Sequence, residues 1–162
     1  MIGALVVLLA VVGVFVVSQA ITRQNPPSPV QAVDYHQDVG FARAKARFDL
    51  VAPASLPAGW KATTVSFVDG PQQHWHLGCL TDTGRYVGLE QADRPVSSMV
   101  KAYVDPQPTR GKPVTIRRAT WATYTDAGGD RALVRRAGRT TTLVVGHDVP
   151  QPVLTSYIES LR

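Results

Sequence analysis

The chain has 162 residues, 17 Lys and Arg against 12 Asp and Glu, a formal net charge of +5, and one cysteine. One cysteine excludes an intramolecular disulfide framework, and the length suffices for one domain with attachments. The basic residues are scattered without an aromatic-interleaved stripe, which argues against nucleic acid as a partner; the charge suits anionic lipid headgroups, acidic polymers or simply a solvated basic surface.

Residues 2–21, IGALVVLLAVVGVFVVSQAI, carry no charge. About 20 apolar residues at 1.5 Å rise cross the roughly 30 Å hydrocarbon core of a bilayer. The run predicts a transmembrane helix or signal anchor over residues 1–21, and hence a single-pass protein of the plasma membrane. Ser18-Gln19-Ala20 is a small-x-small triplet, so a cleaved signal peptide is the competing reading; the run exceeds the usual h-region of roughly 7–15 residues. Arg23 after the run favours a cytoplasmic C-terminus by charge count. The stalk at residues 22–33, with Pro26, Pro27 and Pro29, reads as a semi-rigid spacer and favours an extracytoplasmic domain over residues 34–162, which is the expectation adopted.

Within that domain, DYHQDVGFARAKAR (34–47) places Val39, Ala42 and Ala46 at helical spacing. FDLVAP (48–53) reads as a short strand stopped by Pro53, and Pro57-Ala58-Gly59 as a turn. KATTVSFV (61–68) alternates, with Thr63, Val65 and Phe67 as the core face. HWHLGCLT (74–81) and YVGLEQA (86–92) form a hairpin about a glycine-containing turn. Val96, Met99, Val100 and Tyr103 share one face of a short helix. After a proline-rich loop, VTIRR (114–118), TWATYT (120–125), RALVRR (131–136) and TTTLVVG (140–146) read as strands. The last segment is a helix with an apolar stripe of Val153, Leu154, Tyr157, Ile158 and Leu161. The fold class is α+β: an N-terminal transmembrane helix, then one antiparallel β-sheet domain with flanking helices.

The blocks VDYHQDVGFARAKARFDLVAPASLPAGW, YVGLEQA and WATYTDAGGDRALVRR, with a closing ESLR, resemble an actinobacterial family of single-pass envelope proteins, domain of unknown function 4245. The resemblance covers nearly the whole chain and implies location and architecture. It brings no catalytic residues.

HWHLGC (74–79) gathers His74, His76 and Cys79, all residue types that ligate metals. On a strand, His74 and His76 share one face, while Trp75, Leu77 and Cys79 share the other. Zinc needs convergent ligands at about 2.0–2.3 Å, so the stretch reads as an ordinary core strand. A bulge at Gly78 would turn Cys79 round, and His36 or His147 would then be the source of a third ligand. A cysteine nucleophile needs exposure and a base, and the inward face opposes both. There is no G-x-S-x-G elbow, and His147-Asp148 reads as a polar loop. Asp126-Ala127-Gly128-Gly129-Asp130 lacks the ligand series of a calcium loop and reads as a hairpin loop. Neither a P-loop nor a dinucleotide fingerprint occurs. Glu90, alone in its strand, needs a partner such as arginine if it points inward. Trp60, Trp75, Tyr86, Trp121 and Tyr124 read as core aromatics, with an apolar-ligand groove as the functional alternative.

No residue is assigned a catalytic, cofactor-binding or metal-binding role. The expected function is a non-catalytic, membrane-anchored cell-envelope protein whose domain contacts an envelope protein or anionic polymer. The alternative is a carrier or sensor domain for an apolar or lipid-like ligand.

Overall fold

Runs of β-branched and aromatic residues become strands, and the Gly- and Asp-rich breaks between most of them become turns. The computed structural model describes residues 30–162, and a compact unit spans Ala32–Arg162. In chain order its elements are α1 (His36–Lys45), β1 (Lys61–Val68), β2 (His74–Leu80), β3 (Tyr86–Ala92), α2 (Val96–Tyr103), β4 (Thr109–Arg110), β5 (Val114–Ile116), β6 (Ala119–Thr125), β7 (Asp130–Ala137), β8 (Thr140–His147) and α3 (Gln151–Ser160).

The strands form one antiparallel sheet in the order β1-β2-β3-β8-β7-β6-β4, with β5 also paired to β6. Strand alternation divides the core in two. Trp75, Leu77 and Cys79 of β2, Leu89 of β3, Leu133 of β7 and Val144 of β8 pack with Val39 and Ala42 of α1 and Leu154, Tyr157 and Ile158 of α3. On the opposite face, Ala92, Ala132, Val134, Leu143 and Val145 pack against Met99 and Val100 of α2. Burying each large apolar side chain contributes roughly 1.5–3 kcal/mol, so the apolar stripes of α2 and α3 are what fasten these short helices to the sheet. The expected antiparallel sheet domain with flanking helices is what the structure contains.

Three local expectations change. Residues 48–53 form no strand and make only one isolated antiparallel bridge, Pro53 to Leu161. Val51 N–H donates to the Gln91 side-chain carbonyl at 2.8 Å, and Ala52 and Arg162 exchange both backbone hydrogen bonds, at 3.1 and 2.9 Å. A carboxamide and the far end of the chain thus replace a neighbouring strand. VTIRR stops as a strand at Ile116, because Arg117 and Arg118 form the two-residue turn into β6. In β1 the expected face does turn inward, with Val65 and Phe67 half-buried against the main core; what changes is that the register slips between Ala62 and Thr64 and Ala62 is buried too.

The membrane expectation is corrected. Among the described residues no helix is long and apolar enough to cross a membrane. The longest helices among the described residues have ten residues, about 15 Å at 1.5 Å per residue, half a hydrocarbon core. The segment over residues 1–21, on which the anchor rested, lies outside the described residues, as do residues 22–29 of the stalk at 22–33. A single-pass membrane anchor, the membrane as partner, a plasma-membrane location and an extracytoplasmic, membrane-anchored envelope function are therefore not supported by the structure.

Candidate functional site

His74 and His76 leave β2 on the α2 side of the sheet, while Trp75, Leu77 and Cys79 are fully buried on the other. Glu90 lies directly opposite His76 in the β2–β3 register and is 2 % exposed. Its carboxylate accepts from His74 Nε2–H at 2.7 Å and from His76 Nδ1–H at 2.6 Å. This tautomer assignment follows from the carboxylate being acceptor-only. Burial pushes the Glu90 carboxyl up, but the two imidazole hydrogen bonds together outweigh it and hold the group below its ordinary value.

The cluster extends at both ends. Tyr103 of α2 stacks on His74, ring centroids 5.8 Å apart, with its hydroxyl 3.1 Å from Nε2. Thr64 of β1 donates to His76 Nε2 at 2.9 Å. Gly78 and Gly88, paired across β2 and β3, form the floor: a Cβ on Gly78 would meet Thr64 Oγ1 at 2.3 Å, and one on Gly88 would meet Tyr86 Oη at 2.9 Å. The chain of contacts ties the edge strand, β2, β3 and α2 together.

Chemically, this is a clamp. Three of the four imidazole nitrogens have partners, and those facing Glu90 carry protons rather than lone pairs. Among the described residues no group of three His, Cys, Asp or Glu is set to hold a metal. Thr64, His76 and Glu90 are ordered like a nucleophile, base and acid, yet the Thr64 hydroxyl sits against Gly78, and the cavities described below do not include these residues.

The other sequence candidates separate. β2 and β3 pair without a break at Gly78, so no bulge turns Cys79 outward; burial pushes its thiol up to about 11. His36 stacks on Tyr35. His147 binds Asp130 at 2.9 Å, and Asp126 caps its own loop through Asp130 N–H at 2.7 Å. The five aromatics form no common groove: Trp75 is core, Trp60 stacks on Tyr157, Tyr86 lies on the opposite face with the clamp, and Tyr124 packs with the α2 core. Of the five, Trp121 alone lines the cavity on the α3 side of the sheet. The arginine expected beside Glu90 is replaced by two histidines.

Sequence reasoning missed a second constellation. On the α3 side of the sheet, between α3 and β5–β7, lies a cavity of about 160 Å³. Ile116, Trp121, Ile158 and Leu161 line its apolar part, and Arg117, Arg135 and Thr142 its polar part. Arg117 Nη1 donates to the Leu161 carbonyl at 3.3 Å, which holds the guanidinium at the rim. Gln91 Nε2 donates to Thr142 Oγ1 at 3.0 Å, leaving the threonine hydroxyl hydrogen to donate elsewhere. None of the lining residues is acidic. Among the described residues neither Arg117 nor Arg135 has a carboxylate within ion-pair distance. A depression lined by Arg47, Asp93 and Arg139 differs, because Asp93 already pairs with Arg139 at 2.8 Å.

The turn that presents Arg117 is strained. Ile116 and Ala119 pair across a two-residue hairpin, and Arg117 and Arg118 have φ of 50° and 64°. Such turns favour Asn-Gly, and an L side chain in this region costs roughly 1–2 kcal/mol. The two-residue turn between β7 and β8 instead uses Gly138 at φ 58°, where no Cβ is present to clash. A legible signal existed: VTI and ATW separated by two residues is hairpin spacing, so Arg-Arg stood in a turn.

A family model described as "Protein of unknown function (DUF4245)" matches residues 1–161. No curated protein matches the sequence.

Proposed function

We propose that this chain, which belongs to the DUF4245 family of proteins of unknown function, is a small-ligand-binding domain rather than an enzyme. Its site is the cavity between α3 and β5–β7. The observation that carries this reading is the pair of guanidiniums, Arg117 and Arg135, without carboxylate partners among the described residues, at the rim of an apolar hollow. Charged groups left without a partner beside an apolar cleft are what a binding site offers a ligand. The residues of catalytic type, His74, His76 and Glu90, spend their hydrogen bonds on one another, which supports binding over catalysis.

The test is ligand-observed NMR on the full chain with a library of small organic fragments. Hits are expected, and Ala119→Phe is expected to remove them. Ala119 lines the cavity and is half-exposed at the edge of the main core, so the larger side chain fills the hollow; a melting curve of the variant checks that it stays folded. No hits, or hits that Ala119→Phe leaves unchanged, would overturn the reading.

A further inference from the structure

We infer that the cavity takes a small monocarboxylate with a compact apolar body, an aromatic or branched aliphatic acid; this rests on the reading of the cavity as a ligand site. Size sets the body. About 160 Å³ is close to the roughly 150 Å³ apolar cavity that accommodates benzene, so a six-membered ring or a branched chain of similar bulk fills it and a long acyl chain does not. Trp121 and Ile158, both 5 % exposed, give that body flat and branched apolar contacts.

Charge sets the head group. The polar side chains of the lining are mainly donors: two guanidiniums, which cannot accept, and a Thr142 hydroxyl whose hydrogen is free while its oxygen accepts from Gln91. Guanidinium forks match the two oxygens of a carboxylate. A neutral ligand would leave both arginines without a counter-charge, and a bare inorganic anion would leave the apolar lining in water.

The hairpin strain points the same way. A turn with Asn-Gly would join β5 to β6 without strain, yet two consecutive arginines hold left-handed φ there. Strain of this kind gathers at ligand clamps, where the side chain's placement matters more than local relaxation. Arg117 lines the cavity and Arg118 does not, so the two positions separate the ligand role from the strain.

The experiment titrates the full chain with sodium benzoate, benzyl alcohol and inorganic phosphate, read by saturation-transfer NMR, with melting curves for each variant. Benzoate is expected to bind saturably, at least about tenfold tighter than benzyl alcohol, as one charge-assisted contact implies. Phosphate is expected not to displace it. Arg135→Met and the double change Arg117→Asn, Arg118→Gly should each weaken benzoate by roughly tenfold or more. The double change should also raise Tm by roughly 3–8 °C by relieving the turn. Arg118→Gly alone should raise Tm and leave the benzoate affinity unchanged. Equal binding of benzyl alcohol would keep the cavity as a site and overturn the carboxylate. Displacement by phosphate would reduce the site to a bare anion patch and overturn it too. Loss of all binding in Arg118→Gly would refute the role given to Arg117. If none of the three probes binds at millimolar concentration, the ligand class falls, and the fragment screen with Ala119→Phe still decides the cavity itself.

Discussion

Replacing Glu90 with glutamine removes one charge from the least solvated point of the clamp while keeping its shape. The wild-type carboxylate accepts two imidazole N–H groups, at 2.7 and 2.6 Å. A carboxamide offers one acceptor oxygen and presents an NH2 to the second imidazole. One charge-assisted bond is lost and the other becomes neutral. Hydrogen bonds to charged groups contribute about 1.5–3 kcal/mol and neutral ones about 1, and at 2 % exposure water does not reach Glu90 to compensate. The expected loss at pH 7 is about 2–3 kcal/mol, a fall in Tm on the order of 10 °C for a domain of this size. The pH dependence has a definite sign. Glu90 is held below its ordinary value of 4.5 in the folded state; the unfolded chain therefore takes up the proton first on acidification. Its contribution is complete above 4.5 and is lost as pH falls through the folded value. Urea unfolding followed by tryptophan fluorescence, at pH 7 and in steps below pH 4.5, measures both. The stability gap between wild type and Glu90→Gln should close as pH falls. A gap under about 0.5 kcal/mol at pH 7, or one that stays constant through the acid range, would refute the clamp.

Tyr157 carries a fully buried hydroxyl whose polar neighbour is the Cys79 thiol, a weak hydrogen-bonding group, and a poorly satisfied buried polar group costs about 1–3 kcal/mol. Tyr157→Phe should therefore leave stability unchanged or raise it by up to about 1 kcal/mol in urea unfolding; a loss of that size would reveal a partner for the hydroxyl. Cys79 is fully buried, and burial pushes its thiol up to about 11. Aromatic disulfide reagents at pH 8 should label it only after denaturant is added, and stoichiometric labelling of the native chain within minutes would contradict the packing.

Periodicity carried most of the fold. The β2–β3 hairpin was legible because HWHLGCLT and YVGLEQA are β-like runs with a glycine-containing turn between them. The two faces of β2 followed from the alternation of side chains along a strand, which placed Cys79 in the core. Residues 48–53 were misread because their hydrogen bonds go to the Gln91 side chain and to Arg162, partners that no local window contains. Glu90 was recognised as needing a partner, but His74 lies 16 residues away, and only the register of β2 against β3 reveals the match. The cavity was hidden for a different reason. Arg117, Arg135, Thr142 and Ile158 come from four separate parts of the chain, and their convergence depends on the side-by-side pairing of β5 to β8 and on α3. The membrane expectation came from the hydropathy of residues 1–21, the proline-rich stalk and the family resemblance, and no described helix supplies a span.

The reciprocal backbone bonds between Ala52 and Arg162, with the Arg43 guanidinium reaching the Arg162 carbonyl at 2.6 Å, have a consequence for synthesis on the ribosome. Translation proceeds at roughly 5–20 residues per second, so about 110 further residues must be made after Ala52, several seconds at the least, before its partner exists. During that interval the Ala52 backbone lacks its partner, while the Leu50 carbonyl already has a local one in Arg43, at 3.3 Å. Closing a loop of that length also carries an entropic cost that grows with the logarithm of its length. The order of assembly is thus dictated: the β1–β3 meander can pair as it emerges, whereas the stretch that follows α1 waits for the last residues to close over it.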